Sequence, residues 1–347
     1  MKKWVAVLLS VILILIITGC VPDADFLETD VQQSEYTSPT DGLEIHFIDV
    51  GQGDCTLLRT DKTTMLIDAG TGESEGKILS YLDGLGVNEL DYFIGTHPHE
   101  DHLGSAAAVI EKYGACEIFM SEQMSGSYFF EKLLDTLIER EIEVTIPETD
   151  CVYKTEDLSF KFLTDGTAFS NLNDNSLCVM VTYKNQSMLF MGDAEKAVER
   201  HLLEKGEDLS AGLLKVGHHG SRYSSENAFL EDVSPTVSVI PCGEGNVYGH
   251  PHDEALERLT NTGCKIYRTD LEGDIVITTD GTNLFGTDGK IIKKGTAKKT
   301  IYIGNKKSKK LHRDDCSGKP SAQNSVIFDD REKAISYGYS PCGNCNP

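Results

Sequence analysis

Apolar and polar positions divide the chain into stretches with different periodicities. Lys2 and Lys3 precede an apolar run, Val5–Ile17. It is too short to span a bilayer comfortably and has the form of a secretory signal. Residues 21–42 show little hydrophobic period and are rich in Asp, Glu, Ser, Thr and Pro. They read as an acidic tether, kept extended by like charges. From Leu43 the pattern changes to short apolar or alternating runs. These predict strands at Glu44–Val50, Thr56–Arg59, Met65–Asp68, Tyr92–Thr96, Glu117–Met120, Phe160–Leu163, Leu177–Tyr183 and Ser187–Met191. Helical spacing appears at Gly76–Leu85, Gly104–Tyr113 and near Tyr128–Arg140, and helices and strands alternate from Ala194 to about Ile277. Strand-rich pieces followed by such alternation predict an α/β protein, a layered αββα sandwich over residues 43–285. A basic linker, 286–299, leads to a compact piece, 300–347, with a strand-like Thr300–Ile303 and a helix-like Arg331–Tyr337.

The 347 residues suffice for one large domain and a small one. The net charge of −23 argues against a protein that coats nucleic acid, which needs an excess of Lys and Arg. It leaves open an enzyme acting on phosphates, because bound cations reverse a local field. From Lys290 to Arg313 the chain carries ten Lys and Arg and no Asp or Glu. This stretch reads either as a solvated linker or as a strip for phosphates or wall polymers. The ten cysteines do not form an evident disulfide framework. Cys55, Cys116, Cys178, Cys242 and Cys264 lie in or beside apolar runs, where a free thiol behaves as a small hydrophobe.

The strongest chemical signal is Thr96-His97-Pro98-His99-Glu100-Asp101-His102-Leu103-Gly104, directly after an apolar strand. Imidazole and carboxylate together suit zinc, manganese or iron. In an extended loop His97 and His99 point the same way. Asp101 and His102 fall where the chain bends into a helix and so aim at a second ion. Two ions about 3.5–4 Å apart share a hydroxide and clamp a substrate oxygen.

This His-x-His-x-Asp-His run resembles the signature of the metallo-β-lactamase superfamily. Further segments resemble the hydrolase domain of ComEC-type competence proteins: Asp49-Val50-Gly51-Gln52-Gly53-Asp54, Leu66-Ile67-Asp68-Ala69-Gly70, Asn173-Asp174-Asn175-Ser176-Leu177, Met191-Gly192-Asp193, Leu214-Lys215-Val216-Gly217-His218-His219-Gly220-Ser221 and Tyr248-Gly249-His250-Pro251-His252. The resemblance covers about Leu43 to Gly281. It implies a first metal site of His97 and His99, a second of Asp101, His102 and His219, and Asp193 bridging both. Where many members place a third His on the first site, this chain offers Asn173 and Asn175. That departure weakens the first site's protein shell, leaves zinc and manganese equally open, and disfavours a β-lactamase. Asp54 and Asp68 are expected to orient the ligand histidines, and Asp101, His218 and His250 to serve in catalysis. His250 is a candidate proton donor, and Ser221 and Arg222 are candidates to bind substrate, Arg222 as a planar fork for phosphate.

His312-x3-Cys316 and Cys342-x2-Cys345 give four soft ligands on a piece small enough to need a staple. The piece resembles the metal-binding domain of Ada, which implies one structural zinc; disulfide pairing is the other reading. At the other end, Ile17-Thr18-Gly19-Cys20 resembles a bacterial lipobox. That implies cleavage before Cys20, its lipidation, and a location on the extracellular face of the bacterial membrane. An uncleaved anchor helix is the alternative. The expected function is hydrolysis by a metal-bound hydroxide, of DNA or RNA phosphodiesters. The alternatives are small or wall-linked diesters, as in phosphorylcholine esterases, or a non-catalytic surface-binding lipoprotein.

Overall fold

Leu43, Ile45 and Phe47 alternate with Glu44 and His46 along the first strand, and all five side chains are buried. A strand buried on both faces belongs in the middle of a covered sheet. The apolar three enter a core between two sheets. Glu44 and His46 lie on the other face, where the imidazole meets Glu44 at 3.2 Å and the Tyr81 hydroxyl at 3.0 Å.

The computed structural model describes residues 42–148, 151–164, 166–297, 301–314 and 316–345. Cys20, its leader and most of the tether lie outside these. Eight strands form the first sheet, in the order Leu284–Phe285, Ile275–Thr279, Leu43–Phe47, Thr56–Arg59, Thr64–Ile67, Tyr92–Gly95, Glu117–Met120, Val144–Thr145. Seven form the second: Lys265–Arg268, Val237–Ile240, Leu213–Lys215, Gln186–Phe190, Val179–Tyr183, Leu158–Phe162, Val152–Lys154. Both sheets are mixed. The helices Glu75–Gly84, Ala106–Tyr113 and Tyr128–Glu139 cover the outer face of the first sheet. Lys196–Lys205, Asn227–Val233 and Asp253–Asn261 cover the second. This is the αββα sandwich that the pattern predicts.

Element ends differ where the chain serves the site. The first strand stops at Phe47 rather than Val50, because the chain turns at Gly51 with φ +72°. The helix expected at Gly104–Tyr113 starts at Ala106, and a separate short helix, Glu100–Leu103, precedes it. At the break, the Gly104 amide donates to the Gly70 carbonyl at 2.8 Å. The short edge strands Val144–Thr145, Val152–Lys154 and Leu284–Phe285 lack enough residues to display a period.

The segment read as a basic linker does not leave the body at once. Ile292 packs on the inter-sheet core, and the Gly295 amide donates to the Gly263 carbonyl at 2.7 Å. The C-terminal piece is a four-stranded sheet, Ser325–Phe328, Tyr302–Asn305, Lys310–Arg313, Ser340–Pro341, with the helix Arg331–Ser336. Its core is small: Tyr302, Leu311, Phe328, Ala334 and Tyr339. It touches the sandwich through Tyr302 with Glu257 and Asn227 with Asp330. No helix among the described residues is long and apolar enough to cross a membrane.

Candidate metal centre

The centre is assembled from loops at one end of both sheets. From the first sheet, Tyr92–Gly95 ends at Thr96 and releases His97-Pro98-His99 into the helix Glu100–Leu103. From the second, Gln186–Phe190 releases Met191-Gly192-Asp193, and Leu213–Lys215 leads to the His218-His219 turn. Close approach fixes these loops against each other. A Cβ on Gly53 would lie 2.4 Å from the Asp101 carbonyl oxygen, and one on Gly192, at φ +52°, would lie 2.8 Å from the Ser176 Cβ. Both positions therefore require glycine.

Asp193 lies between two groups of imidazoles. Its Oδ1 is 3.2 Å from His102 Nε2 and 3.4 Å from His219 Nε2. Its Oδ2 is 3.8 Å from His97 Nε2 and 3.7 Å from His218 Nε2. Ligand atoms of Asp101, His102, Asp193 and His219 all lie within 4.8 Å of one another, which groups the expected second site. On the other side, His97 Nε2 and His99 Nδ1 are 3.0 Å apart. His102 Nε2, His219 Nε2 and Asp193 Oδ1 are buried yet lack hydrogen-bond partners, so they converge on a common space. Orphaned buried groups of this kind are costly unless something satisfies them.

The electrostatics point the same way. Burial alone would lower His102, but Asp193, Asp68, Asp101 and Asp54 outweigh it and drive its pKa well up. His219 is likewise pushed up to about 10 against its burial, by Asp193 and Asp54 first. Burial would raise Asp193 and Asp101, yet the surrounding histidines hold both low. His97 is lowered well below its ordinary value by burial and by His102, leaving a neutral ring suited to ligation. The site concentrates carboxylate charge that divalent cations neutralise, and its donors, imidazole and carboxylate, fit zinc or manganese.

A model of the metallo-beta-lactamase superfamily matches residues 48–244. The chain belongs to the metallo-β-lactamase superfamily. A model of the metal binding domain of Ada matches residues 292–347. ComE operon protein 3 of Bacillus subtilis is 27% identical over 251 residues, covering 67% of this chain and 32% of that protein. Competence protein ComA of Neisseria gonorrhoeae is 31% identical over 229 residues, covering 65% and 30%. The chain thus spans about a third of the length of these curated relatives. The metallo-beta-lactamase fold protein YhfI of Bacillus subtilis superposes with a TM-score of 0.48 at 10% identity, over 69% of this chain and 100% of that one.

In this superfamily hydrolase the supporting residues sit mostly where the sequence places them. Asp68 accepts from the Thr96 amide and hydroxyl, each at 2.8 Å, and meets His102 Nδ1 at 2.8 Å. That bond directs Nε2 into the site. Asp54 faces His219 Nδ1 at 3.3 Å, but its main partner is unexpected. Lys215 is nearly fully buried and forms a tight ion pair with Asp54. Lys215 also donates to the Gly192 carbonyl at 2.7 Å. Burial works to raise Asp54 and to lower Lys215, and the pair overcomes both.

The first site differs from expectation. Asn175 does not face it: its amide bonds the Phe169 amide and the Phe169 and Asn171 carbonyls at 2.8–2.9 Å, closing its own loop. Asn173 lies against the His218 ring, 3.3 Å from Nε2, and its Oδ1 is buried without a partner. A third imidazole is on this side after all, because His218 faces Asp193. Both His218 and His219 adopt left-handed conformations, at φ 45° and 51°, which splays adjacent side chains to opposite sides of Asp193.

Glu195, which the sequence does not single out, holds His218 Nδ1 at 2.8 Å and accepts the Ser221 hydroxyl at 2.9 Å. Ser221 is buried and braces Glu195 at the wall of the metal cavity. Arg222 is exposed, 3.4 Å from Glu254, and its amide donates to His252 Nδ1. His250 is buried, with Nδ1 unpartnered. Burial, His218 and His219 push it down to about 4. Near neutral pH it is therefore an uncharged ring that donates through one N–H, not the imidazolium a strong general acid would be. A cavity of about 580 Å³ opens from Asp193 past His218 and His250 to Tyr223 and Tyr248.

At the other centre, ligand atoms of His312, Cys316, Cys342 and Cys345 lie within 4.8 Å of one another. His312 Nδ1 is 3.5 Å from Cys316 Sγ, and the three thiols are free. One tetrahedral zinc suits this set.

Proposed function

We propose that this superfamily hydrolase is a two-metal phosphodiesterase that cleaves DNA or RNA outside the cell, tethered by a lipid on Cys20. The observation that carries the phosphodiester reading is Asp193, whose two oxygens face two separate imidazole groups at the floor of an open cavity. Such a pair of sites supplies an activated water and charge neutralisation on the phosphoryl oxygens when its divalent ions are bound. His97, His99 and His218 would hold one ion and Asp101, His102 and His219 the other, with Asp193 shared. Asp68 and Glu195 fix the orientations of His102 and His218. His250, neutral at working pH, would hydrogen-bond a substrate oxygen from the cavity wall. The relatives' names, competence and recombination proteins, fit a nucleic-acid substrate. The leader, the lipobox-like Ile17–Cys20 and the acidic tether support the location.

The test is hydrolysis of single-stranded DNA and of bis-p-nitrophenyl phosphate by the chain from Val21 onward, loaded with Mn²⁺ or Zn²⁺. Asp101→Ala and His102→Ala serve as controls. Metal-dependent cutting of DNA, lost in both controls, is expected. Activity on the small diester alone would favour a wall-linked or small substrate, and activity on neither would remove the phosphodiester reading.

A further inference from the structure

A second cavity, of about 420 Å³, adjoins the metal cavity where the sandwich meets the C-terminal module. Tyr248 and His252 line both. Three guanidinium groups line the second: Arg222 from the turn after His219, Arg313 from the strand Lys310–Arg313, and Arg331 from the start of the helix Arg331–Ser336. Carboxylates are present too. Arg222 stands 3.4 Å from Glu254, and Glu257 is engaged by the Tyr302 hydroxyl. Asp253 lies in the first turn of its helix. The Nε of Arg313 is enclosed without a hydrogen-bond partner. The Arg313 guanidinium lines the cavity beside Arg222 and Arg331. Its planar fork matches phosphate oxygens.

We propose that this cavity is an anion subsite. It takes a neighbouring phosphate of a single-stranded nucleotide chain whose scissile phosphate lies at the metal centre. The C-terminal module then supplies one wall of the substrate groove. This rests on the phosphodiesterase reading and adds a second phosphate contact and a single-stranded chain as the form bound. Two exposed rings favour a nucleotide chain over other polyphosphodiesters. Tyr223 and Tyr248 are 52% and 63% exposed, and both line the metal cavity. Flat faces beside a backbone track are what bases stack on, and a glycerol or ribitol phosphate polymer has no base to stack. Arg313 directly follows His312, so a zinc held by His312, Cys316, Cys342 and Cys345 would also fix the strand that presents this guanidinium.

The experiment uses the full chain with Arg313→Gln and, separately, Arg331→Gln, each checked for retained zinc. Affinity for a fluorescent phosphorothioate oligonucleotide is measured across salt, alongside kcat/KM for bis-p-nitrophenyl phosphate. Each variant is expected to bind the oligonucleotide roughly tenfold more weakly, with a salt slope shallower by about one. Small-diester turnover should not change. Where Arg313→Gln loses its zinc, Arg331→Gln decides. Unchanged oligonucleotide affinity in folded variants overturns the subsite while leaving the phosphodiesterase reading intact. Failure of the unmodified chain to cleave any diester removes that reading, yet the affinity difference still judges the subsite. Competition by poly(glycerol phosphate) as strong as by the oligonucleotide overturns the assignment to nucleotides.

Discussion

Glu195 accepts a hydrogen bond from His218 Nδ1 at 2.8 Å, and the other nitrogen of that ring faces Asp193 at 3.7 Å. A carboxylate behind a ligand imidazole fixes its tautomer and raises its basicity. The His218 and Ser221 bonds hold Glu195 ionised against the burial that would raise it.

Glu195→Ala is therefore expected to lower metal affinity or kcat by about 10- to 100-fold, with Glu195→Gln milder. Metal titration together with steady-state kinetics checks this. Unaltered metal content and kcat in Glu195→Ala would show that His218 needs no such support.

Lys215 and Asp54 form a pair buried beneath the ligands. Removing one partner strands the other charge, so Lys215→Met is expected to cost about 3–5 kcal/mol of stability. Replacing both residues, Lys215→Met with Asp54→Leu, should recover much of that loss. Urea denaturation of the metal-free single and double variants measures it, and a double variant no better than the single would count against the pairing.

Glu199 is fully buried and accepts from the Ser225 and Glu226 amides, the latter at 2.8 Å. Burial pushes its carboxyl up to about 8. The folded state thus keeps a proton that the unfolded chain releases above its ordinary carboxyl range. This contribution to stability is fully present at acid pH and is lost as pH rises from about 4.5 to 8, by roughly 1.4 kcal/mol per unit at most. Glu199→Gln cannot titrate and also turns an NH₂ toward one of the two amides. Its stability deficit relative to the unmodified chain should be largest at pH 5 and shrink toward pH 8. A deficit that stays constant across this range would contradict the assignment.

Chelation should remove hydrolysis and lower the melting temperature, because Asp54, Asp68, Asp101 and Asp193 then share one centre with fewer cations. Cys342→Ser should release one zinc per chain and unfold the small module, whose core has few residues. The sandwich should keep its own transition. Calorimetry with metal analysis separates the two, and a single merged transition lost in the variant would show that the module holds the sandwich together.

The layered α/β architecture, the ligand loop from His97 to His102, Asp193 at its strand end, and the Cys/His set of the module can be read from the order of amino acids alone. These are legible because they are local: strand period, helix period and ligand spacing are set by neighbours along the chain. The rest depends on segments far apart in sequence. Lys215 resembles a stray charge in an apolar run until Asp54 arrives from the first sheet to meet it. Glu195 resembles a helix-start acid until His218 turns back onto it. The Asn173–Asn175 segment suggests a missing ligand, yet Asn175 closes a loop and His218 faces the first site from another strand. Left-handed backbone at His218 and His219 sends two adjacent rings to opposite sides of one carboxylate, and no periodicity reports that. The meeting of Arg222 with Arg313 and Arg331 likewise exists only because the module folds back on the sandwich.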